Sequence, residues 1–294
     1  MSVKKLIIND ENEGRRLDNF LLSVYKNVPK SKIYKIIRKG EVRVNSSRAK
    51  PHYKLCIKDL IRVPPISNSI KSIQKNIKNI DIETHLSNIL YEDTNFIIIN
   101  KRRGISVHGG SKNFIGLIDI ARAKYGEKID LCHRLDKNTT GCLVFGKNKK
   151  AVKHFNDELF DKNVTKIYQV ILKGHLHEDI DINTPIFKND PNKIKESLSK
   201  FKIIKKLTNC TLVEVQIFTG RTHQIRIHSS SIDHPVLFDN KYGDDVFNKS
   251  IKTSISKNIA LHSKSIIFKD FNSNLIDVNS MIPAEFKQLI TELQ

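Results

Sequence analysis

The 294-residue chain has no tryptophan, only four cysteines, and 31 acidic side chains against 51 lysines and arginines. Each scarcity excludes something. Cys56, Cys132, Cys142 and Cys210 form no Cys-x-x-Cys pair and have no close histidine at metal-ligand spacing, so neither a disulfide framework nor a zinc site is expected. No uninterrupted apolar stretch reaches the roughly 18–20 residues that cross a bilayer. After two lysines only Leu6–Ile8 is apolar, too short for the core of a secretion signal. A soluble, reduced, cytoplasmic protein is therefore expected. The shortage of acids leaves a net charge of +20 and a pI near 9.7, which points to a polyanionic partner. Abundant Lys, Ile and Asn without Trp also fits A/T-biased coding, so the placement of the charge says more than its total.

That placement is uneven. From Arg15 to Lys50 there are eleven Lys or Arg and two acids. Residues 14–63 read as one small unit of two helices and a hairpin. Leu17, Phe20, Leu21 and Val24 recur at helical spacing, and Ser31 can cap a second helix that ends at Gly40. That helix puts Ile33, Ile36 and Ile37 inward and Lys32, Lys35 and Lys39 outward. Val42 and Val44 alternate as a strand, and Ile57–Val63 reads as another with a turn at Lys58-Asp59. A one-signed face can be mere solvation; here it favours RNA. Residues 64–82, after Pro64-Pro65, read as a polar tether. Residues 83–294 read as an α+β domain: strands at Phe96–Ile99, Lys166–Lys173 and Thr211–Phe218, and helices around Leu117–Tyr125 and Val152–Leu159. Such an order suits helices against a mixed, mainly antiparallel sheet, with 175–200 as a surface excursion.

The most informative segment is His133-Arg134-Leu135-Asp136-Lys137-Asn138-Thr139-Thr140-Gly141, a loop between two apolar runs. Loops on rigid strands commonly carry catalytic groups, although a solvated turn would look the same in isolation. Tyr168 opens a strand. Gly220-Arg221-Thr222-His223-Gln224-Ile225-Arg226-Ile227-His228 reads as a strand-to-helix junction. His223 and His228, five apart and lacking a third ligand, fit no zinc pattern.

Together with Asn100–Gly110, Lys166–Gly174, the His234-Pro235 and Lys241-Tyr242-Gly243 loop and Leu261-His262, these motifs resemble the RluA-type family of RNA pseudouridine synthases. Arg103 stands where Pro or Ser is more usual. Gly14–Leu22 and Val28–Asn45 resemble an S4 RNA-binding domain. The likeness runs in order from Gly14 to about Phe268. Val-Pro-Lys-Ser at 28–31, Val107-His108-Gly109-Gly110 and Phe238-Asp239-Asn240-Lys241-Tyr242-Gly243 are most similar to members acting on large-subunit ribosomal RNA.

The resemblance implies a chemistry that needs no cofactor: the N1–C1′ bond of uridine breaks, the base turns, and C5 joins C1′. Asp136 would act at C1′, as nucleophile or as stabiliser of developing charge. It implies Arg221 as its guanidinium partner, Tyr168 stacked on uracil and placed to relay a C2′ proton, Arg134 filling the place of the flipped nucleotide, and Leu261 packed on the base. His133 is expected to support rather than catalyse, and Lys101 and Arg226 to contact phosphate or hold structure. The S4-like unit would grip RNA through Arg15, Lys30, Lys32, Lys35, Arg38 and Lys39, with no protein partner required and a monomer expected. The competing readings are the same chemistry on transfer RNA or other ribosomal sites, and a binding-only assembly factor. The joint presence of Asp136, Tyr168 and Arg221 counts against the last.

Overall fold

A computed structural model describes residues 3–25, 28–66, 77–109, 115–186 and 196–294. The chain divides into two compact units, Met1–Gln74 and Lys75–Gln294. In chain order the first holds β1 (Lys4–Ile7), α1 (Leu17–Val24), α2 (Lys30–Arg38), β2 (Arg43–Val44), β3 (Ser47–Arg48) and β4 (Leu60–Val63). Its sheet runs β1-β4-β2-β3, so the unit starts upstream of the Gly14 boundary expected from sequence. The two-residue turn Asn45-Ser46 is left-handed at both positions (φ 48 and 68), the geometry that matches the twist of a tight hairpin. Leu17, Phe20 and Leu21 of α1 and Ile33, Ile36 and Ile37 of α2 close over Val44, Ile61 and Val63. Val24, expected on the same inner face, is exposed. Pro29 rather than Ser31 precedes α2, its fixed φ suiting the entry to a helix. Asp59 is buried and accepts hydrogen bonds from Asn45 Nδ2, Tyr53 Oη and the Cys56 amide, which ties the hairpin to the following loop.

The second unit begins with α3 (Asn79–Leu86), which starts inside the segment expected to be tether; residues 67–76 of that segment lie outside the described residues. There follow β5 (Ile89–Glu92), β6 (Phe96–Lys101), α4 (Leu117–Tyr125), β7 (Asp130–Leu131), β8 (Thr140–Gly146), α5 (Lys149–Phe160) and β9 (Thr165–Lys173). Then come β10 (Ile180–Ile182), β11 (Ser199–Leu207), β12 (Cys210–Ile217), α6 (Gln224–Ser231), α7 (Asp245–Ser250), β13 (Leu261–Lys269), β14 (Leu275–Asn279) and α8 (Ala284–Glu292). The sheet runs β10-β11-β12-β9-β13-β8-β6-β5, with β14 added to β13 and β7 to β8.

The central strands are apolar at successive positions because both faces are covered. Ile97, Ile99, Leu143 and Phe145 face a core shared with Leu117, Ile118 and Ala121 of α4. Phe96, Ile98, Cys142 and Val144 face the other way, against Ala151 and Phe155 of α5. Among the described residues one strand pair runs parallel: β13 meets β8 through His262–Thr140 and Ser263–Gly141. Gly141 sits there at φ +106, and a Cβ on it would lie 2.1 Å from the Ser263 carbonyl oxygen. This pinch joins the end of the Asp136 loop to the start of β13. All four cysteines are free, three of them buried. Among the described residues no helix is long and apolar enough to cross a membrane.

Candidate active site

Asp136 lies in the loop from β7 to β8, and the loop is anchored from within. Lys101, the last residue of β6, is 0% exposed. Its Nζ donates to the carbonyls of Arg102 at 3.0 Å, Lys137 at 2.9 Å and Thr139 at 2.9 Å. Burial pulls the Lys101 ammonium down to about 7, opposed by the charge of Asp136. Three carbonyl acceptors use all three ammonium protons, so the residue is structural; a phosphate contact is excluded by its burial. The Gly104 amide also caps Lys137 O at 3.0 Å.

The partner of the Asp136 carboxylate differs from the one expected. Arg226 Nη1 donates to Asp136 Oδ2 at 3.0 Å. Arg221, assigned that role from resemblance, instead donates through Nε to the Glu196 carbonyl at 3.0 Å. The reason is the register of α6. Gln224 opens the helix, accepting from the Arg221 amide at 3.1 Å, so Arg221 stays on the turn while Gln224, Ile225 and Arg226 are turned inward. Arg226 is in turn gripped by Asp239, Nε to Oδ2 at 2.6 Å and Nη2 to Oδ1 at 2.7 Å. A planar guanidinium alone can satisfy this two-pronged contact and still offer a third nitrogen. The Asp239 side chain is fully buried and also accepts from the Lys241 and Tyr242 amides. Burial would raise its pKa, but the Arg226 and backbone donors outweigh this and hold it below the ordinary carboxylate value. Burial likewise opposes the charge on Arg226, and its hydrogen bonds to Asp239 and Asp136 overcome that, raising it.

Two further groups were not read from the sequence as parts of this site. His223 adopts a left-handed backbone, φ 58, immediately before α6. Its Nδ1 is 3.0 Å from Tyr242 Oη and its Nε2 is 3.7 Å from Asp136 Oδ1. Burial lowers its pKa, with Asp136 pulling the other way. Such strain in a non-glycine residue is commonly held at functional sites. Tyr242 places its ring centroid 5.1 Å from the Arg226 guanidinium carbon.

Tyr168, on β9, is 6% exposed and opposite Ser263 of β13. Burial pushes its phenol well above the usual value, moderated by a hydrogen bond with Ser263. His133 accepts from the Val144 amide at 3.1 Å, and burial drops its pKa to about 3, so the ring is neutral and holds the loop.

These residues frame two adjoining cavities. One of about 170 Å³ is walled by Leu135, Tyr168, Ile217, Arg221 and Leu261. A more polar one of about 640 Å³ is walled by Lys137, Asn138, Asn240, Lys257 and Asn258. Arg134, Leu135, Asp136, Thr139, His223 and Arg226 line both. The carboxylate thus stands at the doorway between an apolar slot and a polar cleft, with exposed Arg134 beside it.

Residues 95–231 match the family model for RNA pseudouridylate synthase, and residues 15–61 match that for the S4 domain. The chain is 38% identical to a ribosomal large subunit pseudouridine synthase C of Haemophilus influenzae, over 100% of this chain and 96% of that protein. It is 35% identical to the synthase of the same name from Buchnera aphidicola, over 100% of this chain and 98% of that protein. The chain belongs to the RNA pseudouridylate synthase family. A solved structure of human RNA pseudouridylate synthase domain containing 4 shares this synthase's fold, with a TM-score of 0.61, covering 73% of this chain and 96% of that one at 24% identity.

In the S4 domain of this synthase Lys30, Lys35, Arg38 and Lys39 are exposed and Lys32 is half-buried. Arg15 is tied to Asn12 Oδ1 at 2.7 Å and Ser23 Oγ at 3.1 Å, which fixes its position beside α1.

Proposed function

We propose that this synthase converts uridine to pseudouridine in large-subunit ribosomal RNA, and that Asp136 performs the step at C1′. The supporting observation is the carboxylate held by a buried guanidinium at the doorway between the two cavities. The full-length likeness to synthases named for the ribosomal large subunit supports the substrate.

A uridine stacked in a helix cannot reach a recessed carboxylate, so it must be flipped out at a cost of a few kcal/mol. The apolar slot takes the base, with Tyr168 against its face and Leu261 along its edge. The polar cleft takes the ribose and phosphates. Arg134 at the rim occupies the place the nucleotide left. Asp136 then acts at C1′ as nucleophile or as stabiliser of the cationic sugar while N1 departs. The base turns within the slot, C5 bonds to C1′, and the C5 proton is lost as N1 gains one, so atoms balance without an added reagent. Arg226 keeps the carboxylate aimed; Arg221, on the slot wall, is assigned to the substrate instead of the carboxylate.

The test is pseudouridine mapping on large-subunit ribosomal RNA treated with wild type or Asp136→Asn. The expected result is loss of defined sites with RNA affinity kept within a few fold. Undiminished product from Asp136→Asn would remove the residue assignment. Modification confined to transfer RNA would remove the substrate.

A further inference from the structure

The sheet of the N-terminal unit lines up four cations. Its register sets Lys5 opposite Arg62, Arg62 opposite Arg43, and Arg43 opposite Arg48. Directly opposed residues project from the same face, and strands lie about 4.7–4.9 Å apart, so the row crosses four strands over about 14 Å. The other face carries Val44, Ile61 and Val63, sealed by α1 and α2. Lys5, Arg62 and Arg43 therefore project from the face opposite the helices, while Arg48, on the edge strand, turns its side chain against Gly40 at the end of α2. Among the described residues no acid pairs with any of the four, whereas Arg16 pairs with Asp18 and Lys39 with Glu41.

Like charges directly opposite one another destabilise a sheet. Three consecutive like-charged oppositions with no counter-charge thus oppose folding, and an external anion relieves them. On the same face, two residues along from Lys5 and Arg62, lie Ile7, 73% exposed, and its opposite neighbour Leu60. A cationic row, mostly arginine and bordered by an apolar strip, matches one strand of a nucleic acid. Guanidinium forks fit successive phosphates, and the strip fits the ribose edge.

We propose that this sheet face is a second RNA-binding surface of the unit, gripping the phosphate backbone of the substrate apart from the segment held by α2. The proposal rests on the reading that the substrate is ribosomal RNA. It predicts a separation of stability from binding that a merely solvated face would not show.

The experiment compares the full chain with Arg43→Thr/Arg62→Thr, with Arg62→Gln alone, and with Lys35→Ala/Lys39→Ala on α2. Affinity for large-subunit ribosomal RNA is measured across salt, and melting is followed for each. The sheet variants are expected to melt at or above wild type, because repulsion is removed. Their log K against log salt slope should shrink by about one per arginine replaced. The α2 variant should lose a comparable slope by an independent route. A sheet variant with wild-type affinity and slope overturns the proposal, as does one that melts below wild type. If wild type binds this RNA without modifying it, the substrate reading fails while the slope still judges the row.

Discussion

The two units use charge in opposite ways. In the N-terminal unit cations stand largely outside, along α2 and across the sheet. In the catalytic unit the decisive charges are inside: Lys101 on three carbonyls, and Arg226 shared by Asp239 and Asp136. Exposed charges act through a screened field and add attraction that salt removes. Buried ones gain from a poor dielectric only if every donor and acceptor is met, so they fix geometry. The contrast assigns affinity to one unit and chemistry to the other.

The strongest way to break that assignment is Arg226→Lys. An ammonium cannot fork onto Asp239 and also reach Asp136, so charge is conserved and geometry lost. Turnover should fall roughly 10²–10³-fold, about 3–4 kcal/mol of barrier, with RNA affinity nearly unchanged. Arg221→Lys, which leaves the Asp136 pair intact, should cost clearly less in the same single-turnover pseudouridine assay. Equal losses would return Arg221 to the role the resemblance gave it.

Next in size is Gly141→Ala. The residue sits at φ +106 with the Ser263 carbonyl oxygen 2.1 Å from where Cβ would be. Backbone strain plus the forced parting of β8 and β13 should cost roughly 3 kcal/mol. Denaturant unfolding of the catalytic unit measures it, and activity should fall too, because Ser263 is the partner of Tyr168. The N-terminal unit should melt as before.

Which of these features could be read from the chain follows from their range. Asp136, Tyr168 and Leu261 sit in short motifs that carry the family resemblance, and the fold brings them to one cavity. The arginine partner was misread because two arginines lie five residues apart, and only the start of α6 at Gln224 decides which turns inward. His223 drew attention only as a metal ligand, since nothing local announces its left-handed backbone or its contact with Tyr242 nineteen residues on. The same holds in the fold. Phe96–Ile99 and Lys166–Lys173 announce themselves by run length and β-branching, whereas Lys4–Ile7 is a strand only because β4, more than fifty residues later, offers it an edge.

A smaller effect tests the interior by pH. His262 is fully buried, its Nδ1 2.8 Å from Thr140 Oγ1, and burial lowers it to about 4 from an unfolded value near 6.5. As pH falls below about 6.5 the unfolded chain takes up this proton while the folded one does not. Stability is therefore flat above that range and declines through it, by about 2 kcal/mol at pH 5. His262→Gln should flatten the decline in urea titrations of the catalytic unit. An unaltered slope would mean that the ring is not kept neutral by the fold.

The smallest expected effect lies outside, and the contrast requires it to be small. Lys35→Ala on α2 removes an exposed cation that has no partner of fixed geometry among the described residues. It should leave melting within about 0.5 kcal/mol and reduce the salt slope of RNA binding by about one. Activity at saturating enzyme should not change, because nothing in the Asp136–Arg226–Asp239 arrangement depends on that side chain. A lysine there that altered turnover at saturation, while leaving the salt slope alone, would mean that the N-terminal unit takes part in the chemistry. The division between the attracting and the reacting parts of the molecule would then be wrong.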